Sequence, residues 1–174
     1  RRWVFWSADG FYYFGSFDGY CFHTDCVRHL AYRTAAPYAA QTFSGLKDRT
    51  VNIPWMRTKN HGAGYTGMFG IPMELTAAAT PDGPSLRMQP VREFFDACRT
   101  EASGSGKQFR AEVKEESAAV LKIRFEAGQS CSGSLCGTHF AYSPADGIFR
   151  AGDQESQAYM GPDVTELLLI ADRG

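Results

Sequence analysis

The stretch Trp3-Val4-Phe5-Trp6-Ser7-Ala8-Asp9-Gly10-Phe11-Tyr12-Tyr13-Phe14 decides how the chain is read. Two aromatic runs flank an Asp-Gly pair. Asp-Gly between β-prone runs is a strong hairpin signal, because both residues tolerate the positive φ of a tight turn. A second pair, Asp18-Gly19, separates Gly15-Ser16-Phe17 from Tyr20-Cys21-Phe22. Farther on, Tyr38-Ala39-Ala40-Gln41-Thr42-Phe43 and Thr50-Val51-Asn52-Ile53-Pro54-Trp55-Met56 flank Ser44-Gly45-Leu46-Lys47-Asp48. Short aromatic strands joined by Gly/Asp turns resemble propeller blades or a barrel.

Length and composition agree with a packed β protein. A chain of 174 residues holds about one domain, or two small ones. Hydrophobic residues at 44 % and aromatics at 14 % give material for a core and exclude disorder. With 19 acids against 18 bases, a nucleic-acid partner held by a basic face has no support. The longest aliphatic run, Leu167 to Ala171, is far short of the about 20 residues of a membrane span. Arg1 opens directly into a strand-like stretch with no signal-peptide pattern, as a mature chain or an excerpt would.

Charge divides the chain. Residues 1–100 carry a net +3 and residues 101–174 a net −4. The changeover, Arg99-Thr100-Glu101-Ala102-Ser103-Gly104-Ser105-Gly106-Lys107, is small and polar, as a linker or long turn is. A boundary is therefore expected at about residues 80–105. Just before it, Pro90 to Arg99 places Val91, Phe94, Phe95 and Cys98 at helical spacing, with Pro90 in the first turn. Beyond it, strands are predicted over Phe109–Val113, Ala118–Phe125, Thr138–Tyr142, Gly147–Arg150 and Val164–Ala171. From Leu121 the first long one alternates apolar and basic residues, which suits a sheet with one wet face.

Chemistry-bearing groups are weighed against bland alternatives. Cys21, His23, Cys26 and His29 are zinc-capable and lie within nine residues. Finger-type sites draw ligand pairs from two separated segments, and here all four crowd one strand-to-loop stretch. An ordinary loop with a buried Cys is the preferred reading, and no metal is expected. The five cysteines are read as buried or half-buried thiols, with a Cys131–Cys136 hairpin disulfide as the oxidised alternative. Gly104-Ser105-Gly106 lacks the strand and helix of a nucleophile elbow. Gly62-Ala63-Gly64-Tyr65-Thr66-Gly67 has dinucleotide-loop spacing but no βαβ setting, so it reads as a loop and no cofactor is expected. Trp55 and Tyr38, near strand ends, suit stacking on sugar rings, although filling a β core is the commoner use of such residues.

Trp3 to Phe22 with Gly15-Ser16-Phe17-Asp18-Gly19, Tyr38 to Phe43, Asp48 to Arg57, Met68 to Thr76 and Leu86 to Glu93, taken in this collinear order, resemble motifs of glycoside hydrolase family 32, the family of invertases, levanases and exo-inulinases. Leu167 to Arg173 adds a weaker match. Pro54, Ala36-Pro37 and Met73 depart from the family pattern. The resemblance implies an all-β chain: the last part of a five-bladed β-propeller (end of blade four, blade five), one short connecting helix and an incomplete β-sandwich. In residue ranges these are 1–80, 81–104 and 105–174.

The resemblance also implies retaining hydrolysis of terminal β-fructofuranosyl units of fructans or sucrose, which needs two carboxyl groups about 5–5.5 Å apart. The family strings W-M-N-D-P-N-G, R-D-P and E-C, which carry the nucleophile, a transition-state Asp and the acid/base Glu, do not occur in this sequence. No catalytic residue is therefore assigned, and Glu74 matches a structural position. Trp55 matches the residue lining the terminal-fructose pocket. The expectation is a C-terminal fragment of such an enzyme, cut at both ends and inactive alone. Secretion or periplasmic export is weakly implied, and the missing blades and the fructan or sucrose are the implied partners. Oligomers through exposed strand edges are a further expectation. The rival readings are a non-catalytic carbohydrate-binding module and, more remotely, a small zinc-binding β protein.

Overall fold

The computed structural model describes residues 2–59, 64–80, 83–99, 102–106, 110, 118–157 and 165–171. The chain is nearly all β and divides into two compact units, Arg1–Ala97 and Cys98–Gly174.

The first unit holds two antiparallel sheets. In the first, β1 (Trp3–Trp6) and β2 (Phe11–Phe17) form the expected hairpin, with Trp6 opposite Tyr12 and Trp3 opposite Gly15. Gly10 closes its turn with φ +77°, and a Cβ there would strike the Tyr32 ring. The free edge of β2 is shared by two short strands, β3 (Phe22–Thr24) and β4 (His29–Leu30). The second sheet is built the same way. Strand β5 (Pro37–Thr42) lies on one edge of β6 (Thr50–Met56). The other edge takes β7 (Met68–Phe69) and β8 (Met73–Thr80), and β9 (Gly83–Pro90) completes the sheet against β8.

The core of this unit forms where the two sheets meet. Alternation along β2 turns Tyr12 and Phe14 inward, and both are buried with Val51 and Val91. Stacked and edge-on ring pairs join Tyr12 to Trp6, Phe14 and His29. The Tyr12 hydroxyl accepts the Leu86 N–H at 3.1 Å, which ties the first sheet to β9. Asn52 is the one buried polar side chain among the described residues, and its Oδ1 accepts from the Tyr32 hydroxyl at 3.1 Å. Burial pushes the Tyr32 phenol up to about 12.

The connector read over 81–104 contains strand β9, which pairs with β8 along its whole length. The helix is shorter than expected: α1 spans Arg92–Asp96. Pro90 belongs to the sheet, opposite Met73, and the Val91 N–H donates to the Pro72 carbonyl. The strand thus holds residues that the spacing placed in the first helical turn, and Cys98 lies past the end, exposed. Arg49 clasps Glu93 of α1 with two hydrogen bonds, at 2.9 and 2.5 Å.

In the second unit, β10 (Ala119–Arg124) pairs with β15 (Glu166–Ala171). Their register puts Ala119, Leu121, Ile123, Leu167, Leu169 and Ala171 on one face. The other face carries Lys122, Arg124 and Glu166, and Arg124 meets Glu166 at 2.9 Å. Strands β11 (Cys131–Leu135), β12 (Thr138–Ser143), β13 (Ile148–Ala151) and β14 (Gln154–Gln157) form a meander. Phe140 and Tyr142 are its buried residues, and the Phe125 ring lies 5.7 Å from Tyr142. The strand expected over 109–113 falls outside the described residues, Arg110 excepted.

Candidate functional site

Trp55 occupies the last full turn of the pleat in β6. Its neighbours Pro54 and Met56 point to the other face, and Pro54 is buried. The register sets Trp55 opposite Tyr38 of β5 on one side and opposite Phe69 of β7 on the other. Residues directly opposite across antiparallel strands share a face, so three aromatic side chains stand in one row across three strands. The Tyr38 and Trp55 rings meet edge to face, with centroids 6.4 Å apart. Trp55 is 39 % exposed and Phe69 78 % exposed, so the row opens to solvent.

The surroundings hold this row in place. Between Tyr38 and Gln41 the pairing of β5 slips by a bulge, with Ala39 at φ 46°. The Ala39 N–H donates to the Ala8 carbonyl at 2.8 Å, which anchors the bulge to the first hairpin turn. Arg57, two residues beyond Trp55, lays its guanidinium over the Tyr38 ring at 4.4 Å. Its Nε donates to the Ala35 carbonyl at 3.0 Å, and Nη2 donates to the same oxygen. Gly67 presses its backbone against the indole: φ is +75°, and a Cβ there would overlap Trp55 at Nε1. The Thr66 hydroxyl donates to the Thr58 carbonyl at 3.3 Å, folding this strap back on the residues that follow β6.

Exposed ring surface beside a fixed guanidinium suits a neutral, hydroxyl-rich ligand. The C–H faces of sugars pack on aromatic faces, and N–H groups donate to hydroxyls. Glu74 lies in β8, opposite Val51 and Gln89, as a sheet residue.

The zinc-capable cluster is dispersed to other tasks. Asp18 Oδ1 accepts from the backbone N–H groups of Tyr20 and Cys21, each at 2.8 Å, and Oδ2 lies 2.8 Å from His23 Nε2. The Cys21 N–H first, then His23, hold the Asp18 carboxyl well below the usual carboxylate range. His29 instead stacks on Tyr12 in the core, with centroids 5.0 Å apart. Among the described residues, no group of three or more His, Cys, Asp or Glu is placed to hold a metal ion.

The cysteine readings need correction. Cys21, Cys26 and Cys98 are exposed rather than buried, while Cys131 and Cys136 are half-buried. Burial raises the Cys131 thiol. A Cys131–Cys136 disulfide does not fit this hairpin. Cys131 starts β11 and Cys136 sits in the turn after it. Five residues of strand separate Cα atoms by about 16 Å, against the under about 7 Å that a disulfide spans.

The sequence reading put forward Trp55 and Tyr38 as stacking candidates; the structure sets Phe69, Arg57 and Gly67 beside them, which that reading did not put forward. The two-residue strand period offered Arg57, since positions 55 and 57 share a face. Phe69 carried no such signal, because only pairing with β6 brings it beside Trp55. Gly62 and Ala63, the start of the glycine-rich loop, lie outside the described residues.

No protein-family model and no curated protein sequence matches the chain. Among solved structures it is similar to a fructofuranosidase from Schwanniomyces occidentalis complexed with fructosylnystose, at 10 % identity and a TM-score of 0.47. The match covers 91 % of this chain and 38 % of that one.

Proposed function

We propose that this chain is the sugar-stacking part of a glycoside hydrolase that releases terminal β-fructofuranosyl units from fructans or sucrose. The single observation that carries the reading is Trp55. It stands half-exposed in an aromatic row, at the position where the sequence resembles the family's pocket motif. In this reading the two sheets of the first unit are propeller blades. The second unit is the sandwich.

Trp55 gives the fructosyl ring an apolar wall, and Arg57 supplies hydrogen-bond donors beside it. The acid pair that would cleave the bond is not among the family strings of this sequence, so the chain binds without turnover. Free energy of binding comes from ring stacking and from water displaced off the indole.

Calorimetry with inulin, levan and sucrose tests the proposal, run beside a hydrolysis assay. Saturable binding that Trp55→Ala weakens by about tenfold or more supports it; tenfold corresponds to about 1.4 kcal/mol. Binding unchanged in Trp55→Ala refutes the assigned site. Turnover well above blank refutes the claim that cleavage lies elsewhere. The rival reading, a carbohydrate-binding module with no catalytic partner, predicts that segments carrying the missing family strings, added in trans, restore no hydrolysis.

A further inference from the structure

The first sheet has two aromatic faces, and only one of them is core. Strand alternation puts Trp3, Phe5, Phe11, Tyr13, Phe17 and Phe22 on the face opposite to Tyr12 and Phe14. Leu30 of β4 joins them across from Phe11. The rings touch one another. Trp3 meets Phe17 edge-on with centroids 5.6 Å apart, and Phe5 lies 6.5 Å from Tyr13 and 5.8 Å from Phe22. Even so, Phe5 is 53 % exposed and Phe17 43 %, and Trp3 and Leu30 are exposed as well. The solvated face of an antiparallel sheet is ordinarily polar. Here the register puts no charged residue on it. The Arg28 guanidinium lies 4.4 Å over the Phe11 ring, at one end of β2.

We propose that a second copy of the chain covers this face, giving a two-fold, face-to-face dimer. A two-fold contact brings the same patch of both copies together, so charges on the face would repel their own kind, and this face carries none. An axis crossing β2 at its middle sends the two Arg28 groups to opposite ends of the strand. A seven-residue strand holds them about 20 Å apart, well beyond the about 8 Å over which charges act in physiological salt. With aromatic side chains of about 150–250 Å² each, the face leaves roughly 450 Å² in water, most of it at Trp3, Phe5, Phe17 and Leu30. Two copies therefore bury roughly 900 Å², the size of a weak, reversible contact.

Analytical ultracentrifugation of the full chain between about 1 and 300 µM tests the dimer. A monomer–dimer equilibrium with Kd on the order of tens of micromolar is expected. Phe5→Lys and Phe17→Lys each set two like charges on the contact and should weaken it about tenfold or more. Phe43→Lys, at a ring just beyond β5 that is equally exposed at 53 %, should leave it within about twofold. Urea unfolding verifies that each variant folds. Tryptophan emission that moves to longer wavelength on dilution, as Trp3 leaves the contact, reads the same equilibrium with no substitution. A monomer across the whole range overturns the dimer, and so do species that grow beyond two copies or a Phe43→Lys variant that dissociates as readily as the others. A dimer that survives Phe17→Lys also overturns it. That is the outcome for pairing through the free edge of β1, because Phe17 lies on the central strand. Trp55 belongs to the other sheet, so sugar binding and dimer formation stand or fail separately.

Discussion

The two sheets of the first unit share a plan and differ in what they do with their rings. In each, a long central strand pairs with one partner on one edge and with two on the other. The inner face of the first sheet buries its aromatics: Tyr12 is 3 % exposed and packed among Trp6, Phe14 and His29. The second sheet presents Trp55 and Phe69 to solvent. The same alternation produces both outcomes. Whether another sheet covers the face decides which rings are core and which are surface.

That contrast breaks most visibly at Tyr12. Tyr12→Ala removes a buried ring and the acceptor of the Leu86 N–H, so a loss of about 3–5 kcal/mol is expected in urea unfolding. An effect below about 1 kcal/mol would show that the sheet contact contributes little to the core. Tyr32→Phe is the next largest. It leaves the Asn52 carbonyl oxygen buried without its donor, at a cost of about 1–3 kcal/mol. The phenol itself gives a base-side signature. Its folded pKa, about 12, lies above the ordinary value of 10.0, so the folded state holds that proton more tightly. Stability is full below pH 10 and falls as pH climbs from 10 toward 12, a slope that Tyr32→Phe should flatten.

Gly67→Ala sharpens the comparison when set beside Gly45→Ala. Both positions have positive φ, +75° and +81°, so both variants bear a backbone cost of about 1 kcal/mol. Only residue 67 meets the indole, and nothing lies within 4 Å of a Cβ at residue 45. The Trp55 indole N–H resonance, assigned through Trp55→Phe, should therefore move in the first variant and stay in the second. Trp55→Ala itself should shift stability by less than about 1 kcal/mol, since the ring is already half in water, while weakening fructan binding.

The smallest effect is on the acid side. The Arg49 guanidinium holds the Glu93 carboxyl at about 2, below its usual 4.5. Stability from this clasp is present above pH 4.5 and lost as pH falls from there toward 2. Glu93 is exposed and Arg49 half-buried, so 1 M salt should diminish the slope and Glu93→Gln should remove it.

Much of the fold was legible because its signals are local. Asp9-Gly10 and Asp18-Gly19 specify their turns, and β1, β2, β3, β5 and β6 follow from aromatic and β-branched runs beside them. Strand β8 was not legible. Met73-Glu74-Leu75-Thr76-Ala77-Ala78-Ala79-Thr80 is rich in helix formers, and pairing with β6 and β9 overrides that preference. The helix at residue 92 was overextended for the converse reason: its spacing is helical, but the sheet retains Pro90. The cysteines looked buried by residue type and are exposed at three positions, since turns and unit edges place them in water.

By itself the sequence determined an all-β chain, its hairpin turns and its charge division, and it singled out Trp55 as a candidate. Alternation and turn chemistry act between near neighbours and need no distant partner. Only the tertiary structure decided that Phe69 and Arg57 join Trp55, that Gly67 seats the indole, and that Tyr12 is core while Trp55 is surface. Those outcomes depend on which strand pairs with which and on what covers each face, quantities set by contacts between residues far apart in the chain.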